Sequence, residues 1–398
     1  MRRRDSNGGR HELSEKRKQL LFDVLFTPEK QMLEPCCPGA VLLPNTIYKD
    51  IINCIYITFY GGKTVMRKIS LKVAIFLLML SLIGAPSLAT AKSIELKLSH
   101  ATPRSSTWHQ GAEKFANIIK EKTSAKYDIK IYPSDELSGG NQVAGIELLQ
   151  TGVTDIHMQD ALVWSAIAKK SILPCFPWLL PSYKDVDKVM QGEGGKALKK
   201  VISDVGVICL AIGENGYRQV VNNRNPIRKP SDMKGLKMRV PGSNVHVNLL
   251  KYIGADPITM NQSEVYTSLQ QGTIDACENT LDLLFTQNTL EVVKYISLWN
   301  YSYDPIYFSV STELWEKLSP EERDIFQKAA TEAMAYQVKV TREKEQLLHK
   351  RLVEYKINVV NELLQDDLAA FKKAVSPIYK DYKNDFGEEI FKQFGYKF

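Results

Sequence analysis

Gly235-Leu-Lys-Met-Arg-Val-Pro241, read with Gln270-Gln-Gly-Thr-Ile-Asp-Ala-Cys-Glu-Asn279 further on, decides the fold. Leu236, Met238 and Val240 alternate with Lys237 and Arg239, the period of a half-buried strand. Pro241 cannot continue a central strand and stops the run two residues after the arginine. Arg239 is therefore expected at the carboxyl end of a strand, on the face opposite the apolar residues. Ligands of open α/β sheets sit at such ends. A guanidinium there offers a planar fork of donors that fits a carboxylate. Taken alone, Arg239 reads as a solvated residue at a strand end, but it does not stand alone.

Alternation elsewhere supports an α/β class. Ile94-Glu-Leu-Lys-Leu98 reads as a first strand, Trp108 to Lys122 has helical apolar spacing, and Tyr127-Asp-Ile-Lys-Ile131 alternates again. That is a β-α-β opening. A helix from Asn141 to Gln150 is expected to stop at Gly152, and Ser182 with Asp185 opens another after Pro181. Val205 to Ile212 has the length and apolarity of a buried strand. Ser319-Pro320-Glu321-Glu322 combines an N-cap, a first-turn proline and a capping-box glutamate. The pattern after it runs to about Tyr355, and some 35 residues of helix would span about 50 Å. It reads either as one strut or as a helix broken near Thr341.

The chain has 398 residues, long enough for two domains and a leader. Hydrophobic residues make up 44% and charged residues 24%, ordinary for a soluble globular protein. Met66 opens a second beginning. Arg67, Lys68 and Lys72 precede the apolar run Val73 to Ala85, and Ala89-Thr-Ala91 is a small-residue cleavage site. Residues 66–91 are thus expected to be a signal peptide and Lys92 the mature N-terminus. Residues 1–65 are expected to be translated upstream sequence outside the working protein; a membrane-anchoring extension is the alternative. Residues 1–91 take 13 of the 52 Lys/Arg and 7 of the 45 Asp/Glu, leaving 39 against 38. A body near neutrality has no global attraction for nucleic acid or anionic membrane. No cysteine follows the cleavage site, which argues against a lipid anchor. Three cysteines remain, Cys175, Cys209 and Cys277, with no metal-ligand spacing. The serine-hydrolase, zincin, P-loop and dinucleotide-binding motifs are all absent, so no catalysis and no cofactor is expected.

A set of short motifs carries more. Leu98-Ser-His-Ala101, Leu137-Ser-Gly-Gly140, Leu148-Leu-Gln-Thr-Gly152, Gly216-Tyr-Arg-Gln219, Lys229-Pro-Ser-Asp-Met-Lys-Gly235 and Ser263-Glu-Val-Tyr266 lie around the two opening stretches. In that order and spacing the chain resembles the solute-binding proteins of tripartite ATP-independent periplasmic (TRAP) transporters, from about Ile94 to near the C-terminus. The resemblance implies a two-lobed periplasmic binding protein fold with a hinge, a ligand cleft between the lobes and a long C-terminal helix along both. It places residues 92–215 with 305–344 in one lobe and 216–304 with 345–398 in the other. It implies a periplasmic receptor that delivers a small organic acid to the membrane subunits of a TRAP permease, driven by an ion gradient. A ligand-presenting sensor, or an enzyme of organic acids, are the alternatives.

The same resemblance implies site residues. Arg239 matches the arginine that grips the ligand carboxylate, Arg218 a second arginine near the anion, and Asn279 an amide on the same group. Otherwise Arg218 would be an ion pair with Asp232 or Glu278, and Asn279 a helix cap before Thr280. His100 matches a position that often lines the cleft. Gln262 stands where some relatives place an aromatic ring, which replaces a stacking surface with a hydrogen-bonding one. Asp160 could meet ligand hydroxyls or an amine, or face solvent. The Gly139-Gly140 pair before a helix is a weak sign of anion binding.

Overall fold

The computed structural model describes residues 92–355 and 359–398, so the expected leader and upstream segment lie outside the described residues. The first part of the chain forms strands β1 (Ile94–His100), β2 (Tyr127–Tyr132) and β3 (Ile156–Asp160), with helices α1 (Thr107–Lys122), α2 (Gln142–Gln150) and α3 (Ala161–Trp164). Strand β1 pairs in parallel with both β2 and β3. Helix α1 starts where the Ser106 hydroxyl accepts from the His109 amide. It buries Trp108, Ala112, Phe115 and Ile119 against that sheet.

Next come α4 (Tyr183–Met190), α5 (Glu193–Ser203) and the long strand β4 (Val207–Asn222). A second α/β stretch follows: β5 (Lys237–Val240), α6 (Asn244–Tyr252), β6 (Asp256–Thr259), α7 (Gln262–Gln270), β7 (Ala276–Thr280), α8 (Leu281–Thr286) and β8 (Tyr295–Leu298). Strand β9 (Tyr303–Ser311) and helix α9 (Thr312–Lys317) lead into α10 (Pro320–Tyr355). The chain ends with β10 (Val359–Glu362), α11 (Gln365–Val375), α12 (Pro377–Phe386) and α13 (Glu388–Gln393).

Strands β4 and β9 join two halves. From Val207 to Tyr217, β4 is antiparallel to β9, which continues to β3, β1 and β2. From Arg218 to Asn222 the same strand is antiparallel to β7, which continues to β5 and β6, and its other edge carries β8 and then β10. The changeover coincides with a register irregularity between Glu214 and Gly216. Gly216 has φ +107°, a conformation that side chains disfavour, so glycine is required where the strand leaves one half for the other.

The apolar run ending at Ile212 therefore marks only the first half of β4. Polar residues Glu214, Asn215, Arg218 and Gln219 interrupt the hydrophobic signal, yet all four are buried. Each is satisfied: Glu214 by Arg342, Asn215 and Arg218 by Asp304, Gln219 by the Trp299 amide.

Helix α10 runs unbroken through Thr341. Its Ser319–Glu322 capping box forms reciprocally, at 3.0 and 3.2 Å. Thirty-six residues give a length of about 54 Å at ~1.5 Å per residue. Phe326, Ala329, Ala330, Ala333 and Met334 pack into the core of the first half. Leu348 and Leu352 pack into that of the second, beside Val221, Cys277 and Ile296. Between these patches the Gln337 amide brackets the bulge of β4, accepting from Glu214 N at 2.9 Å and donating to Glu214 O at 2.8 Å. A Cβ on Gly111 or Gly213 would fall within 3 Å of that side chain. The one helix therefore braces both halves and the crossing between them.

Candidate ligand-binding site

The changeover puts polar residues at the junction of the halves. Arg218 is the first residue of β4 to pair with β7, opposite Thr280, and Asn279 precedes that partner on β7. Arg239 stands next to the end of β5, in register with Cys277 of β7. Asp160 ends β3 and caps α3, its Oδ1 accepting from the amides of Leu162 and Val163 at 3.0 and 3.1 Å. These four residues and Gln262, the first residue of α7, line one cavity of about 20 Å³. Gln142, Asn215, Gln287, Thr102 and Trp108 complete its polar wall. An adjoining cavity of about 190 Å³ shares Ala101, Gln262 and Gln287 with it and adds Asp135, Ser263 and Tyr266.

The two arginines are in different electrostatic states. Arg218 is saturated by carboxylates. Its Nε and Nη2 donate to Glu278, with the Nη2–Oε1 distance 2.9 Å, and Nη1 donates to Asp304 Oδ2 at 2.6 Å. Burial opposes its charge, but Glu278 and Asp304 outweigh burial and hold the guanidinium well above the usual arginine range. Burial would also raise Glu278, and Arg218 reverses that, leaving its carboxyl below the ordinary value. The ion-pair reading of Arg218 therefore holds for Glu278, whereas Asp232 accepts instead from the amides of Arg228 and Lys229.

Arg239 has no carboxylate partner among the described residues. Its Nε donates to the Met260 carbonyl and its Nη1 to Gln262 Oε1, both at 3.0 Å. Its Nη2 is buried and makes no hydrogen bond with the described residues. Burial is the main reason its pKa falls to about 10, with Arg218 adding to the fall and Glu278 resisting it. Asn279 Nδ2 also donates to Gln262 Oε1, at 3.3 Å, so one amide oxygen receives donors from two expected carboxylate contacts. Asn279 is not the helix cap; Thr280 holds that position before α8. Burial pushes the Asp160 carboxyl up, against Arg218, Arg239 and its own backbone donors.

His100 is set back from both cavities. Its Nε2 lies 2.9 Å from His109 Nδ1, its Nδ1 accepts from Thr102 N at 3.3 Å, and it is fully buried. Burial first, then His109 and His157, lower its pKa to about 3, which keeps it neutral. Gly139 and Gly140 take positive φ before α2, and Gly140 lines the larger cavity. Cys175, Cys209 and Cys277 are free and buried, and burial pushes the Cys277 thiol up to about 12, which leaves it unreactive. Among the described residues no cluster of His, Cys, Asp or Glu could hold a metal ion.

Gln142, Asn215, Asp135 and Gln287 were not expected from sequence. Asn215 alone had a local cue, since it precedes Gly216-Tyr-Arg-Gln219; there it accepts from Trp108 Nε1 at 3.1 Å and donates to Asp304 at 2.8 Å.

Residues 98–385 match the model of the bacterial extracellular solute-binding proteins, family 7. The chain belongs to family 7. This solute-binding protein is 30% identical over 316 residues to the 2,3-diketo-L-gulonate-binding periplasmic protein YiaO of Escherichia coli, covering 79% of this chain and 94% of that one. It is similar in structure to a TRAP periplasmic solute-binding protein from Ralstonia eutropha with bound (S)-2-acetolactate, at TM-score 0.73 and 31% identity, covering 76% and 98% of the two chains. A TRAP periplasmic solute-binding protein from Polaromonas bound to D-erythronate matches at TM-score 0.72 and 30% identity, with the same coverage. The solute-binding protein is therefore of the TRAP type and has the two-lobed fold of these neighbours. Such proteins are receptors rather than enzymes. No helix among the described residues is long and apolar enough to cross a membrane.

Proposed function

We propose that this family 7 protein is a periplasmic receptor that grips the carboxylate of a small organic acid on Arg239 and delivers it to a TRAP permease. The observation that carries this reading is the buried Nη2 of Arg239, a charged donor with no partner at the junction of the two halves. A desolvated cation with an unused donor rewards an anion, because a carboxylate entering the cleft must recover the hydrogen bonds it loses to water. Asn279 supports the same oxygen positions, whereas Arg218 acts by holding Glu278 and Asp304 in place. The relatives' ligands support the class: 2,3-diketo-L-gulonate, (S)-2-acetolactate and D-erythronate are all carboxylates. The lobes would be residues 92–215 with 305–344 and residues 216–304 with 345–398, closing about the changeover at Gly216. Export through the leader at 66–91, with Lys92 as first mature residue, would place it in the periplasm.

The test is calorimetric titration of organic acids against the purified protein and its Arg239→Ala variant, with a thermal melt of each. Loss of about 1.5–3 kcal/mol for each charge-assisted bond predicts a tenfold or greater fall in affinity with the fold retained. Unchanged affinity in a folded variant overturns the assignment of Arg239.

A further inference from the structure

The two halves also meet at the rim of the larger cavity, away from the arginine fork. Residues 133–140 form a tight turn after β2, in which Ser134 and Asp135 take positive φ (54° and 53°), as do Gly139 and Gly140 (62° and 84°). Ser134 N donates to Thr102 O and Asp135 N to His100 O, which seats the turn on the end of β1, and Gly140 N donates back to Asp135 O, all at 3.0 Å. Opposite this turn stands the start of α7. A Cβ placed on Gly140 would lie 3.2 Å from Ser263 Oγ and 3.5 Å from Ser263 Cβ, whereas one on Gly139 would have nothing within 4 Å. Gly140 therefore comes so near α7 that a side chain there would press on Ser263.

A second contact joins the same elements. The first amides of a helix have no partner within it. The side chain of Asn261, the N-cap of α7, accepts from none of them. The amide of Gln262 donates instead to Gln142 Oε1 at 3.4 Å, from the first residue of α2 in the other half. Gln262 also accepts from Arg239 Nη1, so one residue touches the facing half with its backbone and the fork with its side chain.

Resting on the receptor reading above for what the halves enclose, we propose that Gly140 and Gln142 are the positioning residues of a latch, which seats the 133–140 turn and α2 on the N-terminus of α7 when the cleft shuts and lets go when it opens. The bare backbone at Gly140 lets the turn reach Ser263, and Gln142 completes the end of α7 in the shut form alone. Gly140 and Ser263 both line the larger cavity, while Arg239 and Asn279 line the smaller one. The latch therefore governs entry and release at the rim rather than the grip on the carboxylate.

A cross-link made with no acid present tests the latch apart from the carboxylate reading. The 3.5 Å separation at Gly140 and Ser263 suits a disulfide, whose Cβ atoms lie about 3.5–4.5 Å apart. Cys175, Cys209 and Cys277 are buried, so the parent protein supplies the background. Gly140→Cys with Ser263→Cys should lose its titratable thiols at least about tenfold faster under mild oxidant than Gly139→Cys with Ser263→Cys. Small-angle scattering should then show the oxidised pair more compact than its reduced form. Equal oxidation rates overturn the contact. Equal dimensions before and after oxidation overturn the latch, because halves that never part need none. Amide hydrogen exchange requires no new cysteine and tests the second contact. Exchange at Gln262 should be at least about threefold faster in Gln142→Ala than in the parent, and parental in Gln142→Glu, which keeps the acceptor oxygen. Unchanged exchange in folded Gln142→Ala also overturns the proposal.

Discussion

The amide oxygen of Gln262 accepts from Nη1 of Arg239 at 3.0 Å, in the place where, on the proposed reading, a carboxylate oxygen would be held. The same oxygen accepts from Asn279, and the Gln262 amide nitrogen donates to Gln287. An uncharged group from α7 thus occupies one branch of the guanidinium fork and leaves the other unpaired. The expected aromatic replacement is not merely a change of surface. On the carboxylate reading proposed above, it would set a side-chain amide in competition with the ligand.

Gln262→Glu is expected to close the site from within. A glutamate of the same length would bring a charged oxygen to Nη1 and neutralise the buried Arg239 cation. Pairing a buried, isolated arginine should raise thermal stability, while organic-acid affinity should fall by about 100-fold or more, ~2.7 kcal/mol. Melting curves and titrations of the variant check both. Retained affinity would show that the ligand does not use this branch of Arg239.

Arg218→Ala should damage the fold rather than the ligand contact. It leaves Glu278 and Asp304 buried without their cation, a change that costs about 3–5 kcal/mol in comparable buried pairs. Adding Glu278→Gln and Asp304→Asn should recover most of that loss. The Glu278 carboxyl is held below its ordinary pKa of 4.5, so its stabilisation is present above that value and lost as pH falls through the depressed one. Urea unfolding of the single and triple variants at neutral pH distinguishes this from a direct role in binding, which would leave stability unchanged.

The strand before Pro241 was legible because its alternation is local, and α10 because a capping box and a long apolar period coincide at Ser319 and after it. Arg218, Arg239, Asn279 and Gln262 were named through motifs and Asp160 without one, and all five line one cavity, whereas His100 does not. What the sequence hid depends on tertiary pairing. The second half of β4 looks polar because Glu214, Asn215 and Arg218 are buried with partners 86 to 128 residues away or, for Glu278, 60 away. Asp135 and Gln287 carry no local pattern; the packing of the two halves brings them to one cavity.

Two buried groups should shift the pH dependence of stability in opposite directions. His246 is fully buried, neither ring nitrogen has a partner, and burial lowers its pKa from 6.5 to about 4. Between those values the unfolded chain binds the extra proton, so His246 destabilises the native state increasingly as pH falls. Asp135 is the reverse: burial, then Asp160, raises its pKa from 3.8 to about 7, so it destabilises increasingly as pH rises through that window. His246→Leu should therefore gain stability toward pH 5 relative to the parent, and Asp135→Asn toward pH 7. Each gain is at most about 1.4 kcal/mol per pH unit. Urea midpoints at several pH values measure it, and parallel profiles would refute the assignment.

Closure should depend on a contact outside the cavity. Asp282, in α8 after β7, accepts from both the amide and the hydroxyl of Thr107 at 2.9 Å, at the start of α1 in the other half. Thr341 of α10 donates to the same Thr107 hydroxyl at 2.9 Å, and Lys344 one turn on is 2.6 Å from Asp282. Helix α10 therefore meets the two halves where they touch. Asp282→Ala removes the acceptor without altering the arginine fork, and the closed population should fall. Apparent affinity scales with that population, so a loss of ~1.4 kcal/mol in closure weakens binding about tenfold. Small-angle scattering should show the variant more expanded than the parent at the same subsaturating ligand concentration, with both converging at saturation. Equal affinity and equal dimensions would mean that the Thr107–Asp282 pair fastens nothing.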